Sequence, residues 1–227
     1  MHTVAAKFYL SGGGDGHQSF PLDKFFLSKF PKNSHFLYVP IALKRHKLYP
    51  DVRSWMNGVL ALHQRNDLSF DIAQDLEKYS QLGKYAFIYI GGGNTWDLMS
   101  EVKETGFVTR LLEYCANGGI VYGGSAGAII LGKYICTYDD ENIVGLKDPS
   151  GLDILNNYSV TCHYQDSQQE RFANWATEYQ SPILCIPEES GIATDGRLGQ
   201  CVGTHPCAIF FPNKDKTYIK PGEDFKM

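Results

Sequence analysis

The sequence predicts an α/β fold, a mainly parallel sheet sandwiched by helices. Three observations carry that expectation. Tyr85-Ala86-Phe87-Ile88-Tyr89-Ile90 is a near-continuous apolar run, the pattern of a strand buried on both faces of a parallel sheet. It runs into Gly91-Gly92-Gly93-Asn94-Thr95, after which Trp96 to Val102 begins a helix capped by Asn94 or Thr95. The order strand, glycine turn, helix recurs at Gly118 to Ile130. Such repeats build parallel sheets through right-handed crossovers.

The remaining elements follow in order. Val4 to Leu10 reads as a first strand, ended by Ser11-Gly12-Gly13-Gly14-Asp15-Gly16. That loop is not a dinucleotide fingerprint, because His17 stands where a third glycine or alanine belongs. Its position at the carboxyl end of a strand puts it near the ligand cleft. Phe20 to Phe30 has helical spacing, and His35 to Ala42 reads as a buried strand. Lys44-Arg45-His46-Lys47 is a basic run suited to a solvated loop or, at a cleft edge, to an acidic substrate. Asp51 to Gln64 sets Val52, Trp55, Met56, Val59, Leu60 and His63 on one helical stripe. Leu68 to Ile72 is a third strand, and Phe107 to Cys115 is the helix leading to Gly118. Beyond the second repeat, Lys133 to Asp153 is polar and irregular. Tyr158 to His163 and Pro182 to Ile186 read as strands, with Gln165 to Tyr179 as a helix between them. Short β segments around Cys201 and from Cys207 to Phe211 finish the sheet.

Bulk composition narrows the function classes. The 227 residues are 43% hydrophobic and 20% charged without a composition break, so residues 1–227 read as one domain with 213–227 as a peripheral tail. A net charge of -4 leaves no basic footprint for nucleic acid. No apolar run approaches the roughly 18 residues of a membrane helix. The six cysteines form no C-x-x-C pair, which argues against zinc and thioredoxin-type sites. The N-terminal apolar run is short and interrupted by Lys7, unlike a signal peptide, so a cytoplasmic protein with reduced thiols is expected. Monomer and homodimer both fit this sequence.

Gly123-Gly124-Ser125-Ala126-Gly127 fits G-x-S-x-G, a strand–turn–helix with one serine at its apex. A serine hydroxyl needs a histidine to take its proton, and the histidine needs a carboxylate to fix its tautomer. Of seven histidines, His163 is best placed, at a strand end downstream, with His205 as rival. Asp139/Asp140, Asp166 and Glu188/Glu189 compete as the acid. Gly91-Gly92-Gly93 offers N–H groups that could join that of Ala126 in holding an oxyanion. The plain alternative is a glycine-rich βα turn whose serine caps a helix.

Together these blocks resemble the serine peptidase family of peptidase E (aspartyl dipeptidase) and cyanophycinase. Gly91-Gly92-Gly93-Asn94-Thr95-Trp96 is similar to its Gly-Gly-Gly-Asn-Thr-aromatic loop, and Gly124-Ser125-Ala126-Gly127-Ala128 to its nucleophile block. The resemblance implies a fold related to class I glutamine amidotransferases, with no metal or organic cofactor. It implies Ser125 as nucleophile, His163 as base, and oxyanion N–H groups at Gly92, Gly93 and Ala126. For the acid it offers Glu188, in Pro187-Glu188-Glu189-Ser190, or Asp140. Glu188 is favoured because a strand end holds a side chain rigidly. Asn94, Thr95, Gln168 and Arg171 are the substrate-binding candidates.

One departure bears on specificity. Where aspartate-specific members carry an arginine after the histidine, Ser167-Gln168-Gln169-Glu170-Arg171 places Gln168. An amide cannot form the bidentate charge-assisted pair of a guanidinium. The expectation is a serine hydrolase of a small peptide or amide without strict aspartate specificity. An esterase on the same chemistry and a non-catalytic ligand-binding module are the alternatives.

Overall fold

A computed structural model describes residues 7–213 and 215–227. The chain begins with β1 (Phe8–Ser11), α1 (Phe20–Leu27), β2 (His35–Val39), α2 (Val52–Leu62), β3 (Ser69–Ile72) and β4 (Ile88–Ile90). The helices α3 (Thr95–Glu104) and α4 (Phe107–Ala116) lead to β5 (Val121–Gly124) and the single-turn α5 (Ala126–Ile129). After an irregular stretch come β6 (Ser159–Thr161), α6 (Gln169–Tyr179), β7 (Ile183–Cys185) and β8 (Ser190–Thr194). The chain closes with β9 (Leu198–Gly203), β10 (Cys207–Phe210), β11 (Lys216–Ile219) and β12 (Asp224–Lys226). Of the strand expected at Val4 to Leu10, Val4 to Ala6 lie outside the described residues.

The expected single sheet is two. The larger runs β12-β9-β8-β1-β5-β4-β2-β3, parallel from β1 to β3 and antiparallel from β1 to β12. The smaller runs β11-β10-β7-β6, with only β6 and β7 parallel. Pro206 lies between β9 and β10, where the chain leaves one sheet for the other. With no N–H, proline cannot continue a ladder there. Residues 215–227, read from the sequence as a peripheral tail, supply an edge strand to each sheet.

Strand alternation sorts the core into two layers. Phe36, Tyr38, Phe87, Tyr89 and Tyr122 pack on one face with Leu22 and Phe26 of α1 and Met56 of α2. Leu37, Val39, Ile88, Ile90 and Val121 pack on the other with Leu98 of α3 and Leu111 of α4. The first layer is aromatic, and the Tyr89 and Tyr122 rings stack with centroids 4.3 Å apart. Each large apolar side chain buried in this way contributes roughly 1.5–3 kcal/mol. The buried carboxylate of Asp23 accepts hydrogen bonds from the Tyr122 hydroxyl and from Ser19 Oγ (2.7 Å). Those partners meet the cost of burying it.

All six cysteines are free thiols, and burial pushes Cys115 up to about 11, protonated at neutral pH. Among the described residues, no helix is long and apolar enough to cross a membrane. The parallel register aligns Ser11 with Gly124 and Ile90 with Gly123. The loops after β1, β4 and β5 therefore emerge side by side at one sheet edge, where open α/β sheets hold ligands.

Candidate active site

Ser125 occupies the apex of the turn between β5 and α5 with φ +48° and ψ -110°. A non-glycine residue there is strained by about 1–3 kcal/mol, and such strain concentrates at functional sites. The small neighbours make the turn possible. A Cβ on Gly127 would fall 2.2 Å from the Ile90 carbonyl oxygen, so only glycine lets α5 pack this closely on β4. The helix behind the serine is only four residues long, shorter than the apolar run to Ile130 suggests, so its dipole is small.

His163 follows β6, also with positive φ (+55°). Its backbone N–H donates to the Gly12 carbonyl (2.9 Å), tying it to the glycine loop after β1. Gly13 lies against the imidazole at φ +94°, where an added Cβ would sit 2.4 Å from Cε1. That loop therefore accommodates the histidine ring. His163 Nε2 is 2.8 Å from Ser125 Oγ, and Nδ1 is 2.7 Å from Glu188 Oε1. The second Glu188 oxygen accepts a hydrogen bond from the Gln18 side-chain amide. Gln18 is itself held, its Oε1 accepting from the Asp15 N–H at 2.9 Å. The Gln18 and His17 N–H groups in turn hold the Asp15 carboxyl below its ordinary range. Beneath the serine, the Cys162 thiol lies 3.4 Å from the Ser11 carbonyl oxygen, and burial pushes its pKa up.

The loop after β4 passes beside the serine. A Cβ on Gly92 would lie 3.2 Å from Ser125 Cβ. Gly91 and Asn94 donate their N–H groups to Val39 and Ala42 (2.9 and 2.8 Å). The N–H groups of Gly92, Gly93 and Ala126 donate to no acceptor among the described residues. A cavity of about 310 Å³ opens over Ser125, His163, Gly92 and Gly93.

The other candidates lie apart from this cluster. Asp140 accepts from the Thr95 N–H (2.8 Å) and Oγ1 (2.6 Å), holding the start of α3. Asn94 caps α3, accepting from the Asp97 N–H, and donates to the Glu141 carbonyl (3.0 and 2.8 Å). Gln168 accepts from the Gln165 N–H (3.0 Å). Arg171 forks onto Asp139 (2.5 and 2.7 Å). None of Asn94, Thr95, Gln168 and Arg171 lines the cavity over Ser125. His205 faces Glu189 (3.1 Å), and Asp166 accepts from Tyr164 and Tyr218.

Two features of the site are weakly marked in the sequence. Gln18 carries no local signal, since its contact with Glu188 spans 170 positions. Tyr38, Trp55 and Tyr89 line the cavity, a role that the helical stripe holding Trp55 does not announce. The tyrosines do have a signal, the alternation Phe36-Leu37-Tyr38 and Phe87-Ile88-Tyr89, which sets aromatics on one sheet face.

Comparison with known proteins agrees with this architecture. The family model of peptidase family S51 matches residues 8–200. An uncharacterized peptidase of Listeria monocytogenes is 34% identical over 125 residues, 52% of this chain and 60% of that protein. Peptidase E of Streptomyces coelicolor is 24% identical over 196 residues, 79% of this chain and 76% of that protein. The match to peptidase E of Shewanella sp. W3-18-1 is 27% identical and spans 60% of this chain. For the Listeria and Shewanella relatives, the chain spans about 60% of their length. The crystal structure of a peptidase from an acI-B1 Actinobacterium superposes with a TM-score of 0.71 at 20% identity, covering 100% of this chain and 98% of that one. By the extent of the family match, this chain belongs to peptidase family S51.

Proposed function

We propose that this protein is a serine hydrolase of small peptides or related amides, working through an acyl-enzyme at Ser125. The observation that carries this reading is the unbroken contact line Ser125 Oγ, His163 Nε2, His163 Nδ1, Glu188 Oε1, at 2.8 and 2.7 Å. His163 takes the Ser125 proton as Oγ attacks the scissile carbonyl. Glu188 keeps the Nδ1 proton in place and stabilises the imidazolium that forms. The oxyanion is held by N–H groups of Gly92, Gly93 and Ala126. His163 then protonates the departing amine, and water releases the acyl group by the reverse proton path. Family membership supports a peptidic substrate.

Ser125→Ala tests this directly. Hydrolysis of dipeptides should fall by about 10³-fold or more, and labelling by a fluorophosphonate should vanish, while the melting temperature holds. Undiminished hydrolysis in that variant would falsify the assignment.

A further inference from the structure

We propose that the residue whose carbonyl Ser125 attacks carries an aromatic or large aliphatic side chain, received by an aromatic and aliphatic wall beside the serine. This rests on the serine-hydrolase reading and specifies its substrate class. In acyl transfer the amine leaves past the histidine while the acyl carbon stays on the serine. We place the acyl side chain in the cavity over Ser125, His163, Gly92 and Gly93, whose wall beyond the serine is apolar.

That cavity is the open end of the aromatic layer. Tyr38, Trp55 and Tyr89 pack on one another, with centroids 5.7 Å apart for Tyr38–Tyr89, 6.0 Å for Tyr38–Trp55 and 6.1 Å for Trp55–Tyr89, and together line the cavity as one aromatic wall. Leu43, Leu48 and Val52 complete the wall. Leu48 and Trp55 are 52% and 41% exposed, so the fold leaves two large apolar side chains uncovered at one cavity. Clustered exposed apolar surface marks a binding site, where isolated exposed residues would not. At about 310 Å³ the space suits one amino-acid residue.

Charge excludes the acidic alternative. Among the described residues, no lysine or arginine lines the cavity. Lys44 and Arg45, next to its wall, are held by Glu101 (2.9 Å) and Asp97 (3.2 Å) on α3. Asp51 lines the rim instead and repels a carboxylate. A substrate aspartate would lose water here and gain no cation.

The test uses the full chain and diphenyl α-aminoalkylphosphonates bearing Phe, Leu, Gly, Lys or Asp side chains. Ser125 Oγ forms a bond to phosphorus and phenoxide leaves, taking up the proton that His163 carries. The expected result is inactivation by the Phe and Leu probes at least tenfold faster than by Asp, about the discrimination a hydrophobic pocket gives. Trp55→Ala should lower the Phe-to-Gly ratio by about tenfold. Leu48→Arg should raise the Asp-to-Phe ratio by a similar factor. Both side chains are half-exposed, and melting temperature checks that each variant is folded. Equal or faster reaction with the Asp probe, faster reaction with the Lys probe, or an unchanged Phe-to-Gly ratio in folded Trp55→Ala, overturns the proposal and leaves the hydrolase reading standing. Failure of a plain fluorophosphonate to label Ser125 removes both.

Discussion

Glu188 and Asp140 are two carboxylates the sequence offers for one role, and the fold treats them differently. Glu188 follows β7, where a strand end and the Gln18 amide fix its direction, and its Oε1 meets His163 Nδ1 at 2.7 Å. Asp140 lies in the irregular stretch after α5, and its Oδ2 is taken by the backbone and side chain of Thr95. One acid faces the imidazole; the other joins a loop to a helix start. Asn94 and Arg171 belong with the second region, since they bind Glu141 and Asp139 of the same loop. Polar residues near a motif thus divide into those that meet the reacting groups and those that hold the scaffold.

The contrast can be broken by substitution. Glu188→Gln should cost the largest factor, about 10²–10⁴ in kcat, because the wrong imidazole tautomer is then favoured. Asp140→Ala should leave kcat within about threefold while lowering stability by about 0.5–2 kcal/mol, as loss of a helix-start partner does. If kcat instead collapsed for Asp140→Ala and held for Glu188→Gln, the two roles would be exchanged. Gln18→Leu sharpens the picture at a smaller scale. Losing one hydrogen bond to the acid should lower kcat about tenfold with KM little changed, and Gln18→Glu should not restore it. A rise in KM alone would place Gln18 with the substrate. Arg171→Ala is expected to do least. The Arg171–Asp139 pair is solvent-exposed and worth about 0–1 kcal/mol, so turnover of neutral dipeptides should stay within about twofold. A loss confined to substrates with N-terminal aspartate would make Arg171 a carboxylate clamp after all.

Much of the fold is legible in the sequence because its signals are local. A glycine-ended apolar run and a helical stripe report periodicity within a dozen residues. The elbow around Ser125 is legible for the same reason, as its small residues are demanded by the turn itself. The smaller sheet was not legible. β6, β7 and β10 are short apolar runs, and nothing local says which ladder they join. The cavity role of Trp55 was not legible because helical spacing assigns it a face but not the element covering that face. α2 buries Val52, Met56 and Val59 against the sheet and leaves Trp55 at the cavity.

By itself, the sequence determined a mainly parallel α/β architecture, a serine at a turn apex, a strand-end histidine and a short list of acids. Those follow from residue chemistry and spacing along one strand–turn–helix unit. The tertiary structure alone decided which acid meets the histidine and that a glutamine from the first loop holds it. It also decided that the space over Ser125 is lined by aromatic rings and, among the described residues, by no lysine or arginine. These contacts join positions 18, 38, 55, 89, 125, 163 and 188. They depend on strand register and on where each loop turns back, and no local preference encodes either.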